Sequence, residues 1–573
     1  MTTPTGTGRT TRPGTGKTTR PGTGKTTRTG TRVTALTGTG RLLRLGIRRD
    51  RVALTTWIVA LGVLVVASVA SIAGLYTTAA EREAAAAFAA ANRLARAFDG
   101  PATGTSVGAL TMMEAFGVLA VLTGLMSIQT MVRHTRQDEE TGRADLLGSA
   151  VVGHHARLAA ATLVTLAANL ILGATICLVL LAQDLPVTGS LAAGGALAGV
   201  GMTFGAVAAV TAQLVEHQRS ASGLASIVLG LAFLLRAVGD AAGEVAASGV
   251  ELVSAWPSWL SPIGWGQQVR PFGGDHLDVL GLFALTIVVL LATSVALASR
   301  RDLGGALVAT RPGPTGAAGR LRSPLRLAWR LHRGGLVGWI AGVMVLAGAL
   351  GGLADGAEEL VGLSEDLAVT FEQMAVDGSL VDVYVAFIMG IMGIVAAAFG
   401  VQTVTRARSE ESSERLEPLL ATAVHRVRWL GTYAILAIAG SGAILLAAGL
   451  AAGTSYGFAT GDLVDGIAAF LAAGAVQWPA AVLIAAITVT TFAFLPRFTA
   501  GVGWALVAGS FVMGQLGDLL GLSQAVMNLS PFTHVPLVPA ESFRLTPILL
   551  LTGLALVAGA LGLLGFRRRD VMT

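Results

Sequence analysis

Long apolar stretches separated by short polar segments recur along the whole chain. Hydrophobic residues fill 53% of the 573 positions and charged residues only 13%, whereas roughly a quarter of the residues in a soluble protein are charged. A helix crosses a bilayer with about 17–25 apolar residues, so the pattern predicts an all-α, polytopic membrane protein. Twelve spans are predicted, near residues 52–76, 112–132, 158–182, 190–215, 220–238, 277–299, 335–354, 383–404, 429–453, 465–495, 498–517 and 545–566.

The chain carries nearly the same charged segment twice. Arg136–Asp145 reads RQDEETGRAD and Arg408–Glu417 reads RSEESSERLE, each between the second and third spans of a six-span half. The triplet RRD closes both halves, at Arg300–Asp302 and at Arg568–Asp570. Because six is an even number, both halves start from the same side, which predicts a parallel repeat about a pseudo-two-fold axis along the membrane normal. Such a repeat favours a transporter with one moving part per half.

Charge separates the polar segments into two sides. The stretch Arg300–Arg333 carries eight arginines against one acid, and residues 351–382 carry eight acids and no Lys or Arg. Arginine-rich loops mark the cytoplasmic side, so the linker, both termini and both charged segments are predicted to be cytoplasmic. The net charge of +6 is assigned to these regions and not to a nucleic-acid partner. The predicted organisation is a basic low-complexity tail (1–39), a first half (40–302), a linker (303–322) and a second half (323–573).

Basic residues alternate with apolar ones just before the first span of each half. Residues 41–51 and 323–333 share this design, with arginines at matching spacing. Two interpretations stay open: a short amphipathic helix lying at the membrane surface, or the ordinary positive flank of a membrane helix.

The tail contains a sequence similar to a nucleotide-binding loop. Thr11–Thr18 reads TRPGTGKT and is repeated at Thr19–Thr26, but threonine replaces the first glycine of the motif, and neither an apolar strand nor an apolar helix flanks either copy. The sequence shows no catalytic triad and no metal-ligand cluster. We therefore predict that the chain is not an enzyme and holds no cofactor, and that another polypeptide binds ATP if ATP drives it.

The two charged segments are the best candidates for a functional site. Three i,i+4 ion pairs are predicted on a helix, Arg136 with Glu140, Glu139 with Arg143, and Glu411 with Arg415. A single segment of this kind is best explained as a solvated helix with weak ion pairs. Two copies at matching positions favour docking surfaces for a repeated partner.

The segment TRQDEETGRADLL (Thr135–Leu147), the stretch LSPIGWGQQVRPF (Leu260–Phe272) and the closing RRD triplets resemble one family in particular. They are similar to the fused, twelve-span ABC-2-type permeases of actinobacteria known as exporters of polyketide antibiotics, and the resemblance covers about residues 40–570. It implies a permease of the bacterial plasma membrane that exports hydrophobic or amphiphilic small molecules. It also implies a separate ABC ATPase, bound as two copies that carry ATP and magnesium.

The resemblance further implies that both charged segments couple the membrane halves to the ATPase. The implied contact residues are Arg136, Asp138, Glu139, Glu140, Gly142 and Arg143 in the first half, and Arg408, Glu410, Glu411, Glu414 and Arg415 in the second. Glu414 stands where the first half has Gly142, which leaves open whether the two halves couple alike.

Within the spans, Glu114 is the acid that stands out, and an intramembrane acid is a functional hypothesis by default. With Met113 and Phe116 it is predicted to line an apolar export path, although simple solvation near the outer interface is an equally good interpretation. The spacing of Arg236 and Asp240 predicts a structural ion pair at the outer end of the fifth span. The alternative function is a proton-coupled secondary multidrug transporter, which needs intramembrane proton carriers that these spans scarcely offer beyond Glu114.

Overall fold

The computed structural model describes residues 34–148, 151–301, 304–308, 316, 323–353, 379–515 and 522–570. The predictions made for most of the basic tail, most of the linker, the acidic segment after the seventh span and the end of the eleventh span lie outside the described residues.

Twelve long helices make up the described part of the chain and follow the predicted spans in order. They are α1 (Thr39–Leu75), α2 (Val107–Val132), α3 (Ala156–Leu181), α4 (Val187–Leu214), α5 (Gln218–Ala241), α6 (Leu280–Ala298), α7 (Pro324–Leu353), α8 (Leu380–Ser412), α9 (Arg426–Thr460), α10 (Leu463–Phe494), α11 (Thr499–Gln515) and α12 (Leu545–Arg568). Eleven are long and apolar enough to cross a membrane. The exception, α11, has 17 described residues, so the eleventh predicted span, near residues 498–517, stays a prediction. The predicted all-α polytopic fold is confirmed.

Short elements connect the long helices. The helical ones are Ala79–Ala91, Arg93–Phe98, Arg133–Gln137, Asp138–Glu140, Arg143–Gly148, Trp256–Leu260, Pro262–Gln268, Leu277–Val279, Leu416–Leu420, Pro496–Phe498, Gln524–Met527 and Pro531–His534. A two-stranded antiparallel hairpin, β1 (Glu244–Val245) and β2 (Leu252–Val253), is the only β structure among the residues described.

The basic flanks do not form separate surface helices. Residues 41–51 belong to α1, which runs unbroken for 37 residues, and the equivalent flank belongs to α7, which runs for 30. The hypothesis of two independent interfacial helices is therefore wrong, because no break or cap separates either flank from the rest of its helix. Pro324 is the first residue of α7, a position at which proline does not interrupt the helical backbone. The flanks are the N-terminal turns of the first long helix in each half.

The centre of the first half is a close contact among α2, α3 and α4. Asn169 of α3 donates from Nδ2 to the Ser127 hydroxyl of α2 at 2.9 Å. A Cβ atom added at Gly201 of α4 would lie 1.8 Å from Asn169 Oδ1, so only glycine lets α4 approach this pair. The buried amide and hydroxyl satisfy each other, as groups removed from water must.

Aromatic packing joins α9, α10 and α12 in the second half. Trp429 of α9 lies 5.1 Å from Tyr433 and 5.7 Å from Phe566, measured between ring centroids. Phe566 of α12 stacks on Phe492 of α10 at 5.4 Å. All four rings are buried, which fixes the ends of three helices beside the second charged segment.

Candidate functional site

Each charged segment combines the end of a long helix with a left-handed turn. In the first half, α2 continues through the π-helical turn Arg133–Gln137 and the short helix Asp138–Glu140 to Gly142, whose φ is +71°. In the second half, α8 continues to Ser412 and the turn falls at Glu414, with φ of +59°. The sequence-equivalent positions 142 and 414 thus adopt the same backbone conformation. Glycine does so freely and glutamate at a cost.

Glu139 is the centre of a buried ion-pair cluster in the first half. It accepts from Nη1 of Arg136 at 2.8 Å and from both terminal nitrogens of Arg301 at 2.8 and 2.9 Å. The Arg136 side chain is fully buried and also donates to the carbonyls of Ala212 and, at 2.9 Å, Gly305. Because Ala212 lies in the last turn of α4 and Arg301 follows α6, the cluster ties together the ends of α2, α4 and α6. We call it the first clamp.

The second half repeats this arrangement around Glu411. Arg408 donates to Glu411 at 3.1 Å, and Arg569, which follows α12, forms a close hydrogen-bonded ion pair with the same carboxylate. Arg569 also donates to the carbonyl of Phe492, in the last turn of α10, at 2.7 Å. This second clamp therefore ties together the ends of α8, α10 and α12, the counterparts of α2, α4 and α6.

The clamps overturn the predicted i,i+4 ion pairs. Arg136 and Arg408 pair three residues along, with Glu139 and Glu411, at 2.8 and 3.1 Å. The left-handed residues Gly142 and Glu414 separate Glu139 from Arg143 and Glu411 from Arg415. Arg136 lies in the π-helical turn, where four-residue spacing no longer places side chains on one face, and Glu140 bonds to α5 instead.

Two further acids of the first segment, Asp138 and Glu140, find partners on neighbouring helices or across the turn. Asp138 pairs with Arg49 of α1 at 2.6 Å and more distantly with Arg143 at 3.7 Å. Glu140 accepts from the first backbone N–H of α5, that of Gln218, at 3.1 Å.

Burial divides the predicted docking residues into two groups. The side chains of Arg136, Glu139 and Glu411 are at most 6% exposed, so they face the protein and cannot contact a partner directly. The turns carry the accessible charges, namely Glu140, Arg143, Glu414 and Arg415. Arg143, at 55% side-chain exposure, is the most accessible cation in its segment.

The sequence pattern did not assign Arg301 and Arg569 to the site. Both are the middle residue of the repeated RRD triplet, and the structure brings each of these two arginines against the charged segment of its own half. The repeat could have predicted this contact. The charged segment and the RRD triplet are duplicated together, and two motifs that recur together in each half are expected to contact each other in each half.

The residues predicted to line an export path do not share one surface. Phe116 is 1% exposed and packs in the first-half core, and Met113 is 6% exposed in a cluster with Tyr76 and Ala86. Glu114, between them, is on the exposed side of α2. A path lined by all three is therefore not what this conformation shows, and a role for Glu114 alone stays a prediction.

Other ionisable residues lie near Glu114, at the N-terminal end of α2. Asp99, in the loop before α2, has its pKa raised to about 7 by burial, with Arg236 opposing the shift. The pKa of Tyr76 is raised to about 12, first by burial and then by the nearby acids Glu114 and Asp99. The predicted pair of Arg236 with Asp240 is present at 3.4 Å, with both side chains fully buried.

The fold and these paired sites define an α-helical, multi-pass membrane protein of the transport-permease class. Residues 321–567 match the family model described as "Multidrug efflux system permease Rv1217c, C-terminal domain". The chain is 40% identical over 531 residues to the multidrug efflux system permease protein Rv1217c of Mycobacterium tuberculosis (strain ATCC 25618 / H37Rv), covering 92% of this chain and 94% of that relative. The chain therefore belongs to the Rv1217c family of membrane permeases.

Proposed function

We propose that this chain is the transmembrane permease of an ATP-driven exporter of hydrophobic or amphiphilic small molecules, of the ABC-2 type. The observation that carries the proposal is the pair of equivalent clamps, each of which exposes a charged turn at the same end of its half. A partner present in two copies could dock one copy on each turn. The relative's name, multidrug efflux system permease, supports small-molecule export as the task.

The partner inferred here is a separate ABC ATPase that carries ATP and magnesium. The chain itself has no Gly-rich phosphate loop in a strand-to-helix context. We further infer a location in the bacterial plasma membrane with both termini in the cytoplasm, since the arginine-rich clamps belong on the cytoplasmic side.

The clamps supply a route from the docking turns into the membrane. When two ATPase subunits close on ATP, they would push the two turns toward each other. Each turn is joined through Glu139 or Glu411 to three helix ends, so the push would move three helices as a unit. Rigid-body movement of one half against the other would then open an apolar cavity, inferred to form between the halves, to the outside.

Docking is tested best at the exposed residues. Charge reversal at Glu139 or Glu411 would break a buried clamp and report on folding, so Arg143→Glu and Arg415→Glu are the informative variants. We expect the tagged double variant, extracted in a gentle detergent, to lose an ATPase that co-purifies with the wild type at about two copies per chain. The matched control is Glu244→Arg, an exposed charge reversal on β1 at the opposite end of the spans.

Three outcomes would count against the proposal. Recovery of no P-loop ATPase from intact membranes would remove the motor, and undiminished co-purification with the double variant would remove the docking site. Export that continues without ATP but stops with a protonophore would establish the proton-coupled alternative.

A further inference from the structure

Two pockets occupy equivalent positions beside the clamps. The first-half pocket has a volume of about 410 Å³ and lies between the basic flank of α1, the first charged segment and the start of α3. The second-half pocket, of about 490 Å³, lies between the basic flank of α7, the second charged segment and the start of α9. Residues at equivalent sequence positions of the two halves line the two pockets. Named with the first-half residue first, they are Leu45 and Leu327, Gly46 and Ala328, His134 and Arg406, Asp138 and Glu410, Arg143 and Arg415, Arg157 and Trp429, and Ala161 and Tyr433.

The charged side chains in and beside the first-half pocket form ion pairs. His134 lies 2.6 Å from the carboxylate of Asp50, which also pairs with Arg133 at 3.1 Å. Arg49 pairs with Asp138 at 2.6 Å. Arg143 lies 3.7 Å from the same Asp138, and Arg157 lies 3.8 Å from Glu139. Each arginine of this lining therefore has a carboxylate within ion-pair distance, and none is left without one to hold a phosphate.

The second-half pocket has different charged residues at the equivalent positions. His332 stands at the position of Asp50, and Arg406 stands at the position of His134. Leu331 and Trp429 replace the first-half cations Arg49 and Arg157, so the second-half lining has its cations at different positions and no counterpart of Asp50. Arg219, from the start of α5 in the other half, adds another cation to the lining. The pocket's own acid, Glu410, accepts a hydrogen bond from the Tyr433 hydroxyl at 2.5 Å.

The cations of the second-half pocket are not matched by acids. Within the described part of the chain, no carboxylate lies within ion-pair distance of Arg219, Arg406 or Arg415. Arg406 makes only long contacts, at 3.4 Å to the carbonyl of Leu331 and 3.5 Å to His332 Nδ1. Three guanidinium groups therefore line the wall of one cavity, and guanidinium groups donate the planar, charge-assisted hydrogen bonds that phosphate oxygens accept.

The rest of the lining is apolar and continues toward lipid. Leu327 and Trp429 form part of the wall. The same turns of α7 expose Leu325, Trp329 and Leu331 at 39–52%, which is typical of a helix at the membrane–water boundary. An occupant of this pocket would therefore place a charged group among the arginines and an apolar part along α7.

We propose that the second-half pocket binds the phosphate headgroup of an anionic membrane lipid, and that the first-half pocket does not. The shared chemistry is a phosphate anion, and the apolar wall selects a lipid over free phosphate. Because α5 of the first half supplies Arg219, a bound headgroup would bridge the two halves at their arginine-rich end. The inference does not depend on ATP coupling.

The test uses the full-length chain in detergent, with native mass spectrometry of adducts formed with short-chain phosphatidylglycerol. We expect one tightly bound phosphatidylglycerol, in preference to phosphatidylcholine of the same chain length. Arg406→His, which restores the first-half residue, and Arg219→Ala should each weaken binding about tenfold, as expected from loss of one charge-assisted hydrogen bond. The matched control, Arg143→Ala, removes a cation of the first-half pocket and should leave binding unchanged.

His332→Asp provides a second check that does not remove a cation. It places a carboxylate beside Arg406, as Asp50 lies beside His134, and should also weaken phosphatidylglycerol binding while the thermal midpoint is kept. Equal binding of the two lipids, or binding that all three second-pocket variants leave intact, would overturn the proposal. Inorganic phosphate that saturates the site at the same concentration as phosphatidylglycerol would show a free-anion site and overturn the lipid assignment.

Discussion

Replacing Glu139 with glutamine is the most direct test of the first clamp. The carboxylate is 6% exposed and lies within 2.9 Å of nitrogens from two arginines. The glutamine amide keeps the size of the side chain but removes the negative charge. Arg136, which is fully buried, would then keep its carbonyl partners but lose its ion pair with Glu139, and the charge of Glu216 would be the remaining one to oppose its own.

The expected cost follows from the burial of the arginines left behind. Removing one partner of a buried ion pair typically destabilises a protein by about 3–5 kcal/mol, because the other charge stays desolvated and unpaired. Arg143→Gln is the matched control in the same segment. Its guanidinium is 55% exposed and lies 3.7 Å from Asp138, and such surface pairs contribute at most about 1 kcal/mol.

The free energy of unfolding should be measured for both variants in mixed detergent micelles, with a double-mutant cycle on Glu139→Gln and Arg301→Gln. We expect a loss of several kcal/mol for Glu139→Gln and strong coupling in the cycle, because the two residues share one interaction. A Glu139→Gln protein as stable as Arg143→Gln would refute the idea that the clamp holds the helix ends together.

Two further predictions concern single residues outside the clamp contacts. Glu414→Gly should raise the unfolding free energy by about 1 kcal/mol, because glycine adopts the left-handed turn without strain. Gly142→Ala should lower the unfolding free energy by a similar amount through backbone strain, because an added Cβ would meet no atom within 4 Å. Unchanged stability in both variants would contradict this reasoning. Burial raises the pKa of Asp99 to about 7, so its stabilising contribution is complete below the unfolded-state pKa and lost as pH rises through about 7. The thermal midpoint should therefore fall between about pH 4 and 7 and level off at higher pH, and Asp99→Asn should flatten that fall; an equal slope in the variant would contradict the assignment.

Hydropathy alone predicted the helices closely. The span predicted near 158–182 is Ala156–Leu181 in the structure, and the one near 277–299 corresponds to Leu280–Ala298. Membrane helices are predictable in this way because lipid forces the backbone to satisfy its hydrogen bonds within the segment. The predicted spans near 52–76 and 383–404 were too short, because α1 and α8 continue through the basic flank and the second charged segment. Those polar segments were predicted to be helical, but hydropathy did not show that each is continuous with its span.

The clamps could not be predicted at the level of contacts. The repeat identified both charged segments, but the i,i+4 pairing assumed a helix that continues through Gly142 and Glu414. A left-handed residue at those positions depends on packing against neighbouring helices, which spacing along one segment does not encode. Likewise, the burial of Glu139 depends on Arg301, more than a hundred residues away, and only the duplicated triplet hinted at that contact.

The composition of the clamps explains why they use arginine. Each one sets two arginines against one carboxylate, an excess of positive charge that would be costly if nothing else compensated it. In both clamps an arginine donates to a carbonyl in the last turn of the fourth helix of its half, Ala212 in α4 and Phe492 in α10. Those carbonyls lack partners within the helix and carry the negative end of its dipole.

The guanidinium group can serve both kinds of partner at once. Its planar fork of five donors reaches a carboxylate and a helix end together, as Arg136 and Arg569 do. A lysine at either position would hold one partner and leave the other unsatisfied. The same chemistry that makes the clamps stable therefore makes them stiff connections between a docking turn and three helices, which is the property that a coupling element requires.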